Sequence, residues 1–195
     1  MNFWDERFSS EEYVYGKEPN EFFRAVIDNL EPGKILIPGE GEGRNAAYAA
    51  GLGWDVHAFD SSEEGKKKAL QLAQEKGVEI NYTISDYQSF TGAEQFDAIA
   101  LIFTHLPSSE RQEVHRKYAS LLKDGGTLIM QVFDKEQLGL NSGGPKSLDL
   151  LFSVEDLKED FEDFSALSIE KEFARLSEGP FHEGEAHLIT LRGIK

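Results

Sequence analysis

The chain has 195 residues, enough for one domain with a full core, and 39% hydrophobic content with 14 Phe favours a globular fold. Twenty basic side chains against 36 acidic ones leave a formal charge of −16; this repels nucleic-acid phosphates, and no basic patch with interleaved aromatics offsets it. There is no cysteine, so disulfides, thiolate metal sites and cysteine nucleophiles are excluded.

The opening residues Met1-Asn-Phe-Trp-Asp-Glu-Arg7 lack the basic and apolar regions of a signal peptide. No apolar run approaches the ~20 residues of a membrane span. The expectation is a cytoplasmic protein without nucleic-acid or membrane partners, monomeric or homodimeric. Residues 1–18 are aromatic and charged (Phe3, Trp4, Phe8, Tyr13, Tyr15), with room for a short helix. Pro19 is expected to open the next helix at its first turn, with Phe22, Phe23, Val26, Ile27 and Leu30 on one face, and Pro32-Gly33 to end it.

Strands and helices then alternate. Strand 34–38 leads to helix 43–52, strand 54–59 to helix 62–76, and strand 79–83 to Ser85-Asp86-Tyr87. Strand 96–102 precedes helix 108–122, and Asp124-Gly125-Gly126 turns into strand 127–133. That spacing predicts βαβ units, a parallel sheet and helices on both faces. A loop over 135–147 follows, then a helix capped by Ser153 and running to about Phe161. Alternating patterns over 165–176 and 185–192 around Ser177-Glu-Gly-Pro predict a closing antiparallel hairpin. The fold class is α/β: a Rossmann-like, mainly parallel seven-stranded sheet finished by that hairpin, the architecture of class I methyltransferases.

Chemistry concentrates after the first strand. Glycines 39, 41 and 43 make a loop that exposes backbone, and the second strand ends on Asp60, so loop and acid meet at the carboxyl edge of the sheet. Such an acid can accept hydrogen bonds from both ribose hydroxyls of a nucleoside. A dinucleotide fingerprint counted from Gly39 would need glycine where Arg44 stands; counted from Gly41, Ala46 gives a tolerated variant, so NAD stays open. No Gly-Lys-Ser/Thr of a phosphate-binding loop is present. Glu40 and Glu42 lie inside the loop, where they would repel a pyrophosphate but favour a sulfonium and an ammonium. The electrostatics therefore favour S-adenosylmethionine. An ordinary strand-loop-helix turn is the alternative.

Asp86 is expected to accept from the adenine amine, with Tyr87 beside it. Phe103-Thr-His105-Leu-Pro107 follows the fourth strand, so Phe103 and His105 project over the cleft, His105 as pocket wall or base. Methyl transfer from a sulfonium rests mainly on proximity and alignment, and no triad is needed. Trp4, Tyr13 and Tyr15 mark the N-terminal segment as a lid excluding water or as a strap on the core. Arg111, His115 and Arg116 read as a solvated basic face. Phe181-His182-Glu183 lies near the hairpin tip and can help close an acceptor pocket. No metal-ligand spacing stands out.

Taken together, Trp4-Asp-Glu-Arg-Phe8, Tyr13-Val-Tyr-Gly-x-x-Pro19, Glu42-Gly-Arg-Asn45, His105-Leu-Pro107 and Gly143-Gly-Pro145 resemble small bacterial S-adenosylmethionine-dependent methyltransferases. The group is that of tellurite-resistance methyltransferases, with thiopurine methyltransferases more distant, and the resemblance spans nearly the whole chain. It implies that Gly39, Gly41 and Gly43 contact the methionine part of the cofactor, and Glu40 and Asn45 are counted with the cofactor-binding residues. Asp60 would take the ribose and Asp86, with Tyr87 beside it, the adenine, while Trp4 and Tyr15 would cover the cofactor; Ser61 and Phe103 complete the expected cofactor-binding set. The family usually reads Asp-x-Gly-Cys-Gly in the loop, where this chain has Ile37-Pro38-Gly39-Glu40-Gly41.

The organisation implied is a lid and helix over 1–30, a cofactor core over 33–134, and an acceptor-side loop, helix and hairpin over 135–195. The function expected is methyl transfer to a small-molecule nucleophile such as a metalloid oxyanion, thiol or heterocycle. A cofactor-binding module without catalysis is the alternative, and an NAD(P)-dependent oxidoreductase a weaker one.

Overall fold

The computed structural model describes residues 3–92 and 94–195; Met1 and Asn2 of the expected lid lie outside them. Seven strands form one sheet in the order β3-β2-β1-β4-β5-β7-β6. The strands are β1 (Lys34–Pro38), β2 (Asp55–Asp60), β3 (Asn81–Ile84), β4 (Phe96–Ile102), β5 (Leu122–Phe133), β6 (Ala166–Ser177) and β7 (Glu183–Ile194). The first five run parallel, and β7 enters antiparallel between β5 and β6. The order turns about β1 and β4, which is where an open parallel sheet leaves a crevice at its carboxyl edge.

Period-two alternation in these strands divides the core. Ile35 and Ile37 of β1, Val56 and Ala58 of β2, and Ala98, Ala100 and Ile102 of β4 face one side. There they pack under α2 (Glu21–Ile27), α3 (Arg44–Gly51) and α4 (Glu63–Lys76). Leu36, Phe59, Ile99, Leu101, Leu128 and Met130 face the other, under α5 (Ser108–Leu121) and α6 (Val154–Asp160). Each fully buried aliphatic or aromatic side chain contributes about 1.5–3 kcal/mol of transfer free energy. Both faces are filled, which is why the β1 and β4 segments read as continuous apolar runs.

Helix ends follow local chemistry. Ser62 accepts from the Gly65 amide to start α4, and Gly77, at φ 69°, ends it. Ser153 and Asp156 form a reciprocal capping box on α6. The second helix departs from expectation. Its cap is Asn20, whose side chain accepts from the Phe23 amide, so helical backbone begins at Glu21 and Pro19 stays outside. It also ends early, at Ile27, because Asn29 and Leu30 turn in tighter bonds to Val26 and Ile27. The first helix, α1, covers Phe3–Phe8.

The basic face expected on α5 is a second correction. Only Arg116 of that trio is exposed; Arg111 and His115 are buried. Asp160 of α6 supplies the reason: its carboxylate lies 2.7 Å from His115 Nδ1 and 3.4 Å from Arg111 Nε. A buried cation persists where it is paired, so the partner on α6 turns these side chains inward. No helix among the described residues is long and apolar enough to cross a membrane.

Candidate active site

The principal cavity opens at the carboxyl edge of β1, β2, β3 and β4. Gly39, Glu40 and Gly41 form its floor after β1, Asp60 and Ser61 its side after β2, and Ser85, Asp86 and Tyr87 its far wall after β3. Phe103 and His105, after β4, line the opposite wall, while Trp4, Phe8 and Tyr15 form the roof.

The glycine loop is tightly determined. Gly39 has φ 66°, and a Cβ there would lie 2.1 Å from the Tyr87 hydroxyl, so only glycine lets that ring reach the floor. Gly43 has another duty. It lies outside the cavity lining, and its missing Cβ would meet Ala69 Cα at 2.6 Å, so it lets α3 approach α4. Gly43 was expected on the cofactor; the structure places it at a helix-helix contact.

Glu40 is buried, and one carboxylate oxygen accepts from the Ala46 amide at 2.7 Å. The other accepts from Asn45 Nδ2 at 3.2 Å. It thus caps α3, whose preceding Gly43 has no side chain to do so. Burial raises this carboxyl to about 7, with the hydrogen bonds from Ala46 and Asn45 opposing the rise. The consequence for ligands is direct. A dinucleotide pyrophosphate binds by accepting from amides at this helix start, and here a carboxylate already holds them.

Asp60 accepts from the Gly41 amide at 3.1 Å and the Ser62 amide at 2.9 Å. Burial raises it to about 6, moderated by those amide bonds. Both remain carboxylates above neutral pH, facing a cavity with aromatic walls. Asp86 behaves differently. It is exposed; its Oδ1 accepts from the amides of Ser89 (2.6 Å) and Gln88 (3.0 Å) and its Oδ2 from the Ser89 hydroxyl (3.1 Å), which hold it below the ordinary carboxylate range.

Glu42, the second loop acid, has its oxygens turned to the roof. One accepts from the amides of Val14 (2.9 Å) and Tyr15 (3.3 Å), the other from Lys68 of α4 at 2.8 Å. The strap carrying Tyr15 is thereby tied to the loop beneath it. Arg7 donates to the Tyr15 hydroxyl at 3.0 Å and covers the Phe181 ring at 4.2 Å.

The wall after β4 is strained. Phe103 adopts φ 53°, the one non-glycine residue with positive φ among those described. Its ring stacks on Phe133 at 4.8 Å and meets the edge of His182 at 4.6 Å. His105 stacks on Phe133, is held neutral by burial down to about 3, and its Nδ1 has no partner. The hairpin turn contributes Glu178 and His182, whose Nδ1 lies 3.1 Å from a Glu178 oxygen. Glu178 also accepts from Arg44 (3.2 Å) and Asn20 (2.9 Å).

The structure therefore brings Trp4, Tyr15, Gly39, Glu40, Gly41, Asn45, Asp60, Ser61, Asp86, Tyr87, Phe103 and His105 to one cavity. Sequence reasoning missed Phe8, Arg44 and Glu178. Phe8 and Arg44 lie inside quoted motifs, which was signal enough; Glu178 carried none. The donor set fits S-adenosylmethionine: two carboxylates, a backbone-exposing floor and aromatic covers suit a sulfonium, an ammonium and a nucleoside. Among the described residues no group of three His, Asp or Glu could hold a metal.

Comparison with known proteins agrees with this chemistry. A family model described as a methyltransferase domain matches residues 35–126. The chain is similar to a ubiquinone biosynthesis O-methyltransferase of Xanthomonas axonopodis, 31% identical over 116 residues, 56% of this chain and 48% of that one. It is 23% identical to a probable S-adenosyl-L-methionine-dependent methyltransferase, TehB of Haemophilus influenzae, over 75% of this chain and 51% of that one. The chain thus spans about half the length of these curated relatives. The crystal structure of H. influenzae TehB superposes with TM-score 0.72 at 16% identity, covering 99% of this chain and 66% of that one. Magnesium protoporphyrin IX methyltransferase of Synechocystis, solved with bound SAH (S-adenosylhomocysteine), superposes with TM-score 0.71 at 19% identity, covering 97% and 91%. Over its cofactor core the chain is similar to S-adenosylmethionine-dependent methyltransferases, and it shares the class I fold of their solved structures.

Proposed function

We propose that this protein transfers a methyl group from S-adenosylmethionine to a small-molecule nucleophile: a metalloid oxyanion, a thiol or a heterocycle. The observation that carries the reading is Glu40 on the start of α3. It withholds the amides a pyrophosphate needs and leaves a second acid beside Asp60 in the same cavity. Asp60 and Ser61 would hold the ribose, the floor at Gly39–Gly41 the methionine part, and Tyr87 the adenine side. Bound there, the cofactor supplies a methyl carbon open to attack by an acceptor lone pair as the carbon–sulfur pair returns to sulfur. The protein's own contribution is to align, to exclude water under Trp4, Phe8 and Tyr15, and to manage the acceptor's proton.

The acidic surface disfavours nucleic-acid acceptors, and work in the cytoplasm as a monomer or homodimer accords with the same reading. A binding module without catalysis would not need the strained Phe103 wall or the closing hairpin tip. Calorimetry is the test. S-adenosylhomocysteine should bind and NAD should not, and Asp60→Ala should weaken binding by at least ~1 kcal/mol, as expected for hydrogen bonds to a charged group. Binding of NAD alone would reject the reading. A screen of candidate acceptors for S-adenosylhomocysteine release then identifies the substrate.

A further inference from the structure

The hairpin turn places the His182 imidazole on the cavity wall with the Glu178 carboxylate beside it, and the alignment described above does not use this pair. Glu178 lies 3.1 Å from His182 Nδ1, while His182 lines the cavity and its Nε2 makes no hydrogen bond to any described residue. The geometry points to His182 as the general base of this enzyme, with Glu178 as its positioning residue, and to an acceptor that arrives protonated as a thiol or hydroxyl. This rests on the methyl-transfer reading and narrows it: a pre-ionised oxyanion would need no base.

The arrangement follows from what each group must do. An ionised carboxylate at Nδ1 selects the tautomer with the proton there, so Nε2 carries the free lone pair. Glu178 is ionised because Arg44 and His182 hold it down to about 2 despite its burial. Burial keeps His182 below the ordinary histidine range, opposed by Glu178, so the imidazole is neutral and receptive near neutral pH. The charged groups facing it are Glu178 of the turn, Arg44 of α3 and Arg7 of α1. His105, the other imidazole in the cavity, lacks a carboxylate and is driven to about 3, which makes it the weaker base.

The ring is held rigidly. It lies between Tyr15 (4.6 Å) and Phe103 (4.6 Å), and Gly143 packs against it. A Cβ on Gly143 would come within 2.7 Å of the imidazole Cδ2, which gives that glycine a reason independent of its own turn. In the step, the acceptor's S–H or O–H proton passes to Nε2. The pair freed on the acceptor's sulfur or oxygen bonds to the methyl carbon, and the carbon–sulfur pair leaves with the cofactor's sulfur, converting the sulfonium to a neutral thioether. The imidazolium formed is balanced by Glu178 and returns its proton to water after product release.

Two measurements test this. Nitrogen-15 NMR of the native protein at pH 7 should show His182 neutral, protonated at Nδ1 and bare at Nε2; an Nε2–H tautomer overturns the proposal whether or not any acceptor is turned over. A series of aryl thiols with acidities spanning the assay pH then serves as the acceptor probe. His182→Asn should lower kcat at least tenfold for thiols still protonated at that pH and less than threefold for those already ionised. It should leave S-adenosylhomocysteine affinity within twofold, which shows the variant folded. A loss equal across the series, or none, overturns the proposal. Failure of the native protein to bind S-adenosylhomocysteine would instead reject the cofactor reading.

Discussion

Glu42 and Lys68 meet at 2.8 Å beneath the N-terminal strap, and the same carboxylate holds the strap's amides at Val14 and Tyr15. Glu42 is nearly inaccessible and Lys68 mostly buried, so removing one partner strands the other charge. That costs about 3–5 kcal/mol where solvent cannot compensate. Glu42→Ala should therefore speed limited proteolysis within residues 9–18 and weaken S-adenosylhomocysteine binding about tenfold. Unchanged proteolysis would show that Glu42 does not hold the roof.

Glu40 makes stability depend on pH in a stated direction. Its folded value, about 7, lies above the ordinary 4.5. Between those values the folded state binds more protons than the unfolded one, so this group's contribution falls as pH rises from about 4.5 to about 7 and is flat above. Glu40→Gln keeps an acceptor for the Ala46 amide without the charge. Denaturant unfolding should find the variant more stable than the parent by about 1–3 kcal/mol at pH 8, with the two converging at pH 5. A parallel pair of pH profiles would reject the account.

The glycines divide by duty, and alanine separates them. At Gly43, φ 88° and backbone 2.6 Å away combine, so Gly43→Ala should lower stability by about 2 kcal/mol or more, read from Tm. Gly39→Ala meets the tip of a movable tyrosine. It should cost less stability, about 1 kcal/mol, yet weaken S-adenosylhomocysteine at least tenfold, because it fills the floor. Reversed ranks would exchange the two roles.

These pairs show what the chain's pattern can and cannot carry. Strands β1 and β4 were legible because burial on both faces demands continuous apolar runs such as Ile35–Ile37. The glycine loop and Asp60 were legible because their order along the chain is also their order across the crevice. Burial of Arg111 and His115 was not, because it depends on Asp160, which lies on another helix. The start of α2 went to Asn20 because a side-chain hydrogen bond outweighs proline's preset φ there. Glu40 was read for its charge alone; that it caps α3 needed the path of the loop in space.

The contacts that close the cavity join distant parts of the chain: Asn20 to Glu178 across 158 positions, and Arg44 to Glu178 across 134. During synthesis the ribosome releases the floor and the strap long before the β6–β7 turn emerges. The imidazole and its carboxylate then arrive together, on the five-residue turn that joins β6 to β7. The floor residues Gly39–Gly41 therefore leave the ribosome well before Glu178 and His182, which complete the wall of the cavity.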